Sequence, residues 1–303
     1  MKILFIVNPA AGNGKASKEW SLISSLLDKK FKGLYDTEFT ERPMHAVEIA
    51  RSAGSRGYDT VVSCGGDGTL NEVVNGIVGS DLKLCLIPLG TGSDFGKSIG
   101  ITDVTHSIEA LGGGREIGVD VAKVAFQDSD TSRYFVNVLE IGFGAEVMKY
   151  VNSHSKGGRF SFLRGIISTV WKLKKFKPGV DIDSLRDSET IEVIVANGRY
   201  FGGGMLASPQ SLVGDGILDL HLLRPVGKIT TILRLRDLVK GTYIRKNFSF
   251  EEKVKSVSFS EKGHLVEMDG EVVGMTPISI QVMDKALRFL VPQLVSNSPR
   301  RGV

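Results

Sequence analysis

The chain has few of the residues that would place it outside a reducing compartment or across a membrane. Only Cys64 and Cys85 are cysteines among 303 residues, too few for a disulfide framework. Both fall in apolar runs, so two buried free thiols are expected. No apolar run approaches the roughly 20 residues of a membrane span. The opening stretch from Met1 to Pro9 is short and stops at a proline, unlike a secretory signal. Charge of one sign is also scarce: 38 Lys and Arg face 34 Asp and Glu, a net of +4. That excess is too small to argue for nucleic acid, and no zinc spacing, helical DNA-reading motif or RNA-binding signature is present. A cytoplasmic protein is expected, without a transmembrane segment or a nucleic-acid partner. Contact with the inner membrane surface would be peripheral.

Glycine, by contrast, is abundant, with 36 residues, and its placement organises the chain. Thr60-Val61-Val62-Ser63-Cys64 reads as a buried strand. Gly65, Gly66 and Gly68 follow, flanking Asp67, and free the backbone to turn tightly against a ligand. Leu70, Val73, Val74 and Ile77 recur at helical spacing, so a helix begins near Thr69. A strand, a glycine turn and a helix N-terminus together aim backbone N–H groups at one point and favour phosphate there. The pattern returns at Leu82–Pro88, followed by Leu89-Gly90-Thr91-Gly92-Ser93-Asp94-Phe95. Asp67 and Asp94 end equivalent turns on adjacent strands. Such a pair of carboxylates suits Mg²⁺, which is held by one or two carboxylates plus water and phosphate.

Earlier in the chain, Lys2–Asn8 reads as the first strand and Pro9–Lys15 as a small-residue loop. A Walker A loop fails, because Gly14-Lys15 is followed by Ala16. Lys15 is a candidate phosphate contact or a plain solvated lysine. Tyr35–Thr40 is the second strand, with Thr40 at the C-terminal end where open α/β sheets bind ligands. Helices are expected before and after it, the second at His45–Ser55. The alternation predicts an α/β domain, a parallel sheet flanked by helices. After Gly112-Gly113-Gly114 the style changes. Short strands with period-two patterning, from Gly118 to Val282, predict a larger β-rich sandwich. The expected division is 1–115 for nucleotide and 116–303 for substrate.

Two stretches interrupt the β pattern. Lys156–Pro178 holds seven Lys or Arg and no acid, with Phe160, Leu163, Ile166, Ile167, Val170 and Trp171 at helical spacing. Lys228–Lys246 holds six basic residues around Ile229, Ile232, Leu233, Leu235, Leu238 and Val239. Each is either a basic amphipathic helix for an anionic membrane surface or a helix packed on the sandwich with a charged back. The tail Ser296–Val303 is expected to fray.

Gly65-Gly66-Asp67-Gly68-Thr69 with Asn71-Glu72, and Pro88-Leu89-Gly90-Thr91-Gly92-Ser93-Asp94-Phe95, resemble the two signature loops of the diacylglycerol kinase catalytic family. That family includes bacterial lipid kinases, sphingosine kinases and ceramide kinase. NAD kinases share the first loop, and Ser93 stands where the family usually has Asn. The resemblance runs from Asn8 to Glu271. It implies a two-domain architecture, ATP and Mg²⁺ as cofactors, and a lipid hydroxyl at a membrane surface as acceptor. Asn8, Thr40, Gly65, Gly66, Asp67, Gly68, Thr69, Leu70, Asn71 and Thr91 would contact the nucleotide. Glu271 in Asp269-Gly270-Glu271 would be the general base, with Asp67 and Asp94 completing the catalytic set. A structural Mg²⁺ would be held by the Asp215 carboxylate and the carbonyls of Leu212 and Ile217. Asp120 would join the metal network directly or through water. A kinase of a soluble acceptor, and a non-catalytic nucleotide- or lipid-binding protein, stay open as alternatives. So does a homo-oligomer.

Overall fold

The computed structural model describes residues 2–127, 132–154, 159–243 and 248–293. Its first part alternates as the sequence predicts: β1 (Ile3–Val7), α1 (Ala11–Phe31), β2 (Tyr35–Phe39), α2 (His45–Ala53), β3 (Thr60–Gly65), α3 (Asp67–Ile77), β4 (Lys83–Pro88), α4 (Asp94–Ile99) and α5 (Val104–Gly113). The interiors of β1, β3 and β4 are apolar except for Ser63 and are buried, as strands covered on both faces must be. They pair in parallel in the order β2-β1-β3-β4. Within α1, Gly12, Asn13 and Gly14 all have positive φ. The expected loop is therefore there, and the regular helix starts beyond it. Both cysteines are free and buried, and burial pushes their thiols up.

The remaining elements are β5 (Arg115–Phe126), β6 (Ser132–Phe135), β7 (Val138–Gly142), α6 (Phe143–His154), α7 (Arg159–Thr169), β8 (Glu192–Ala196), β9 (Tyr200–Phe201), β10 (Met205–Leu206), β11 (Leu218–Leu223), α8 (Lys228–Lys240), β12 (Ser249–Val254), β13 (Ser256–Phe259), β14 (Leu265–Met268), β15 (Glu271–Met275) and β16 (Ile278–Val291). A six-stranded sheet runs β12-β11-β8-β7-β14-β15. It packs through Leu139, Ile141, Val193, Val195, Leu220 and Val266 onto Val124, Val257, Phe259 and Ile280 of the other sheet. This is the β-rich sandwich.

The unforeseen element is β16. The sequence pattern suggests a strand ending near Val282, yet this one continues to Val291. It pairs antiparallel with β5 along its length and parallel with β4 at Arg288 and Phe289. β5 and β16 thus lie in both cores. Val119, Val121, Leu287 and Phe289 belong to the α/β core, while Ala122, Val124, Ile278 and Ile280 belong to the sandwich. Asp284 and Lys285 hid this continuation, because they form a bulge. Lys285 has φ +46° and its N–H donates to Asp120 Oδ1 at 2.6 Å. One continuous sheet therefore fixes how the sandwich faces the α/β part.

The first basic stretch departs from expectation. Residues 155–158 and the side chains of Phe160 and Leu163 lie outside the described set. The helix ends at Thr169, and a single 3₁₀ turn covers Val170–Lys172. Phe176 then bridges to Thr190 and stacks on His264 at 4.1 Å. Leu173–Pro178 is therefore not helical: Phe176 is drawn to the sandwich edge, and Lys175 and Lys177 pair with Glu189 and Asp187. α8 is a helix as expected, though the side chains of Leu235 and Leu238 lie outside the described set. The tail from 294 onward does too. Among the described residues no helix is long and apolar enough to cross a membrane.

Candidate active site

The C-terminal ends of β1, β3 and β4 open into a cleft of about 660 Å³ whose far wall comes from the sandwich. Of the residues expected at the nucleotide, Asn8, Gly66, Asp67, Gly68, Thr69 and Thr91 line it. Thr40 stands at the end of edge strand β2 with its N–H on the Val7 carbonyl, and is not in the lining. Leu70 is buried in the α/β core. Gly65 is buried beneath Thr69, where a β-carbon would lie within 2.6 Å of the Thr69 β-carbon. Lys15 pairs with Glu19 at 3.6 Å and does not reach the lining.

The first glycine turn is held from below. Asn8 Nδ2 donates to Thr69 Oγ1 at 3.0 Å, and Asn8 Oδ1 accepts from the Ala10 N–H. The two turns lie so close that a β-carbon on Gly90 would stand 2.5 Å from Gly66 Cα. α3 begins directly after Gly66 with no side-chain cap, which leaves its first N–H groups turned to the cleft mouth. A dipole of that sense favours an anion.

Asp67 and Asp94 do converge. A β-carbon on Gly92 would be 3.6 Å from an Oδ2 of each. Asp67 accepts the Asp94 N–H at 2.9 Å and the Phe95 N–H at 3.0 Å, so it caps α4 across the gap between turns. Asp94 accepts from Lys97 Nζ and the Gly203 N–H, both at 2.7 Å. Burial, and then the Asp94 charge, push the Asp67 carboxyl up to about 6. Each carboxylate oxygen retains a second lone pair for a cation or water. Two hard oxygen donors beside an anion cradle fit Mg²⁺.

Opposite the glycine turn stands the hairpin between β14 and β15. Its Asp269 sits at φ +49° and Gly270 at φ +99°. Asp269 Oδ2 accepts from Asn71 Nδ2 at 2.8 Å, and its carboxylate takes the N–H groups of Val136, Asn137 and Val138 at 3.1 Å each. Asn71 and Asn75 also bind the Tyr134 carbonyl, tying α3 to β6. Asn71 thus braces the hairpin and is absent from the lining. The result aims Glu271 at the cradle. Its Oε1 lies 3.6 Å from where a Gly68 β-carbon would be. Burial first, and then the Glu72 charge, raise the Glu271 carboxyl above its ordinary value, while Arg133 opposes them. A carboxylate so poised is a better base at neutral pH.

Leu212, Asp215 and Ile217 lie elsewhere. None lines the cleft. Their loop leans on the β5–β16 bulge: Gly216 N–H donates to Asp120 Oδ2 at 2.7 Å, and Asp120 N–H to the Val213 carbonyl at 2.7 Å. Asp120 therefore joins the loop to the bulge and does not reach the cleft. Asp215 Oδ1 accepts the Ile217 N–H at 3.2 Å. An exposed carboxylate and two loop carbonyls are hard oxygen donors and fit Mg²⁺. Among the described residues no group of three or more His, Cys, Asp or Glu side chains is arranged to hold a metal.

Sequence reasoning missed Asn137, Glu140, Gly203 and Glu267, which also line the cleft, and quoted Glu72 in the first signature loop without giving it a role. Gly202-Gly203-Gly204 was a readable signal, as all three have positive φ. Glu140 and Glu267 sit inside strands whose alternate residues face the sandwich core, so they read as ordinary outward polar positions.

A family model for the diacylglycerol kinase catalytic domain matches residues 2–124. A second, for a YegS C-terminal NAD kinase beta sandwich-like domain, matches residues 137–291. YtlR of Bacillus subtilis is 30% identical over 306 residues, covering 94% of this chain and 98% of its own. A Bacillus subtilis protein named diacylglycerol kinase is 27% identical, with 95% of each chain covered. One crystal structure from Bacillus anthracis matches with a TM-score of 0.77 at 26% identity, covering 97% of this chain and 96% of that one. A second from that organism, titled as a diacylglycerol kinase, shares the fold at a TM-score of 0.73 and 23% identity, covering 97% and 98%.

Proposed function

The chain belongs to the diacylglycerol kinase catalytic-domain family, a kinase family, and from that premise we propose that it is an ATP-dependent lipid kinase working in the cleft between the glycine turns and the Asp269-Gly270-Glu271 hairpin. One observation carries the reading: Glu271 Oε1 stands 3.6 Å from the β-carbon position of Gly68. A base and a phosphate cradle face each other across a gap open to an acceptor.

In this reading the N–H groups around Gly66, Gly68 and Thr69 hold the nucleotide phosphates. Glu271 takes the proton of a lipid hydroxyl as its oxygen bonds to the γ-phosphorus and the bond from that phosphorus to the β-phosphate oxygen breaks, leaving ADP. Mg²⁺ beside Asp67 and Asp94 would neutralise charge on the phosphate oxygens. Asp94 also fixes Gly203, and so the glycine-rich wall opposite the turns. The Asp215 loop is a structural metal site in this proposal. Residues 1–115 chiefly serve nucleotide and 116–303 lipid, although β5 and β16 lie in the first sheet.

A membrane-facing side is supported by exposed apolar side chains on neighbouring elements. Trp171 is 63% exposed, Ile229 68% and Leu233 74%, and Lys228 Nζ donates to the Trp171 carbonyl at 2.6 Å, bringing α8 to the turn after α7. Apolar side chains among lysines suit an anionic lipid surface. The test is incubation with γ-labelled ATP, Mg²⁺ and vesicles containing diacylglycerol, monoacylglycerol, phosphatidylglycerol or a sphingoid base, with NAD as a soluble control. Label in a lipid product is expected. Label in NADP alone, or in no product, overturns the reading.

A further inference from the structure

Glu271 meets α3 on the face that carries the first glycine turn. Its Oε1 lies 3.6 Å from the β-carbon position of Gly68. Residues four apart on a helix stand one above the other on the same face, so the next side chain along that face is Glu72. Glu72 and Glu271 both line the cleft. The Asn71–Asp269 bond at 2.8 Å holds helix and hairpin at this approach.

Glu72 is itself anchored. Its Oε2 accepts the Ala46 N–H at 3.1 Å, in the first turn of α2. The positive end of that helix favours the charged form of the carboxylate. A negative charge is thus fixed one turn from the point where Glu271 reaches the cradle.

Among the described residues, the charges around Glu271 come from several elements. α3 supplies Glu72, β6 supplies Arg133 and the hairpin supplies Asp269. Burial raises the Glu271 carboxyl most, Glu72 next, Arg133 opposes them, and Asp269 adds to the rise. Asp269 is committed to Asn71 and to three main-chain N–H groups. Glu267, on β14, is bonded to the Gly270 N–H and to Glu140. α6 also packs against β15, and its Glu146 and Lys149 are both exposed. Glu72 and Arg133 are therefore the opposed pair whose removal leaves the hairpin brace intact. A like charge beside a carboxylate favours the form that holds a proton, and a base that holds its proton more firmly draws it better from a hydroxyl.

We propose that Glu72 is a positioning residue for the transfer: anchored on α2, it keeps a negative charge beside Glu271 and makes Glu271 the stronger proton acceptor. Arg133 sets the upper bound on that effect from the other side. This deepens the lipid-kinase reading and rests on it. The transfer itself is unchanged: the hydroxyl oxygen gains the γ-phosphoryl group, its proton goes to Glu271, and ADP leaves.

The experiment makes two measurements on wild type, Glu72→Gln and Arg133→Gln. Glutamine at 72 keeps an oxygen for the Ala46 N–H and removes only the charge. The first measurement follows the Glu271 carboxyl by carbon-13 NMR on protein with labelled glutamate, the resonance being assigned by its loss in Glu271→Gln. The second is the pH dependence of kcat/KM for a labelled lipid at saturating ATP and Mg²⁺, whose acid limb reports the base. In Glu72→Gln the midpoint and the acid limb should both move to lower pH. In Arg133→Gln both should move to higher pH. An unmoved midpoint in folded Glu72→Gln, or shifts of the same sign in the two variants, overturns the proposal. Shifted midpoints beside an unmoved acid limb also overturn it, and leave lipid phosphorylation standing. Midpoints that shift in opposite directions in a protein that labels no lipid support the charge pair and overturn the lipid-kinase reading alone.

Discussion

Asn71 on α3 donates its side-chain amide to Asp269 at 2.8 Å, across 198 residues of sequence. That bond joins the helix that starts the phosphate cradle to the hairpin that carries Glu271. Asp269 also takes three main-chain N–H groups from the β6–β7 turn, so one carboxylate fixes where the base stands.

Asp269→Ala strands those N–H groups and the Asn71 amide in a buried place. Each orphaned buried donor costs about 1–3 kcal/mol, so a loss on the order of 4 kcal/mol is expected, read as a lower denaturation midpoint. Asp269→Asn keeps an acceptor and tolerates the positive φ, and should lose less than half as much. Equal stability of all three proteins would remove Asp269 as the brace.

The glycines of the two turns should separate folding from turnover. A β-carbon on Gly90 meets Gly66 Cα at 2.5 Å, a backbone clash that cannot relax cheaply, whereas one on Gly68 meets only Glu271 Oε1, at 3.6 Å. Gly90→Ala should destabilise the fold by about 2 kcal/mol or more. Gly68→Ala should melt near wild type, yet lose activity by more than about tenfold, because its methyl enters the gap between base and cradle. Parallel melts and assays decide this. Matching losses of stability would contradict it.

Stability should depend on pH through Glu140. Burial raises its carboxyl from 4.5 to about 7. The folded protein therefore holds that proton more tightly than the unfolded chain. The contribution is complete below about pH 4.5 and is lost as pH rises through about 7. Against wild type, Glu140→Gln should gain on the order of 2–3 kcal/mol at pH 8 and little at pH 4.5. Urea melts at the two pH values measure it. A constant difference across that range would show that Glu140 does not titrate so.

Vesicle binding should follow the exposed apolar residues more than the lysines that are already paired. Trp171→Ala with Leu233→Ser should weaken sedimentation with anionic vesicles about tenfold or more, since burial of each such side chain is worth about 1.5–3 kcal/mol. Lys175→Ala, whose ammonium pairs with Glu189 at 2.8 Å, should change it little. The opposite ranking would point to charge alone.

The α/β half was legible because its signals are local. β1, β3 and β4 are short apolar runs ended by glycine turns, and α2 and α3 show plain helical spacing. The loops around Asp67 and Asp94 could be paired from their matching positions after successive strands. The placement of β16 was not legible. Asp284 and Lys285 break its period, and pairing with β4 depends on contacts some two hundred residues apart. Asp120 was expected near the metal network, and only the register shift between β5 and β16 reveals that it clamps a bulge. Lys172–Lys177 has the composition of a helix face, but Phe176 prefers a partner in His264. Glu140, Glu192 and Glu267 come together only when three strands pair, which no spacing within one strand announces.

The role of Glu271 is most directly tested by Glu271→Gln assayed with labelled ATP and lipid vesicles, beside nucleotide binding measured on the same preparation. Turnover should fall by about 10²–10⁴ with nucleotide affinity within about twofold of wild type. Turnover at the wild-type rate would mean that the carboxylate facing Gly68 is not the base.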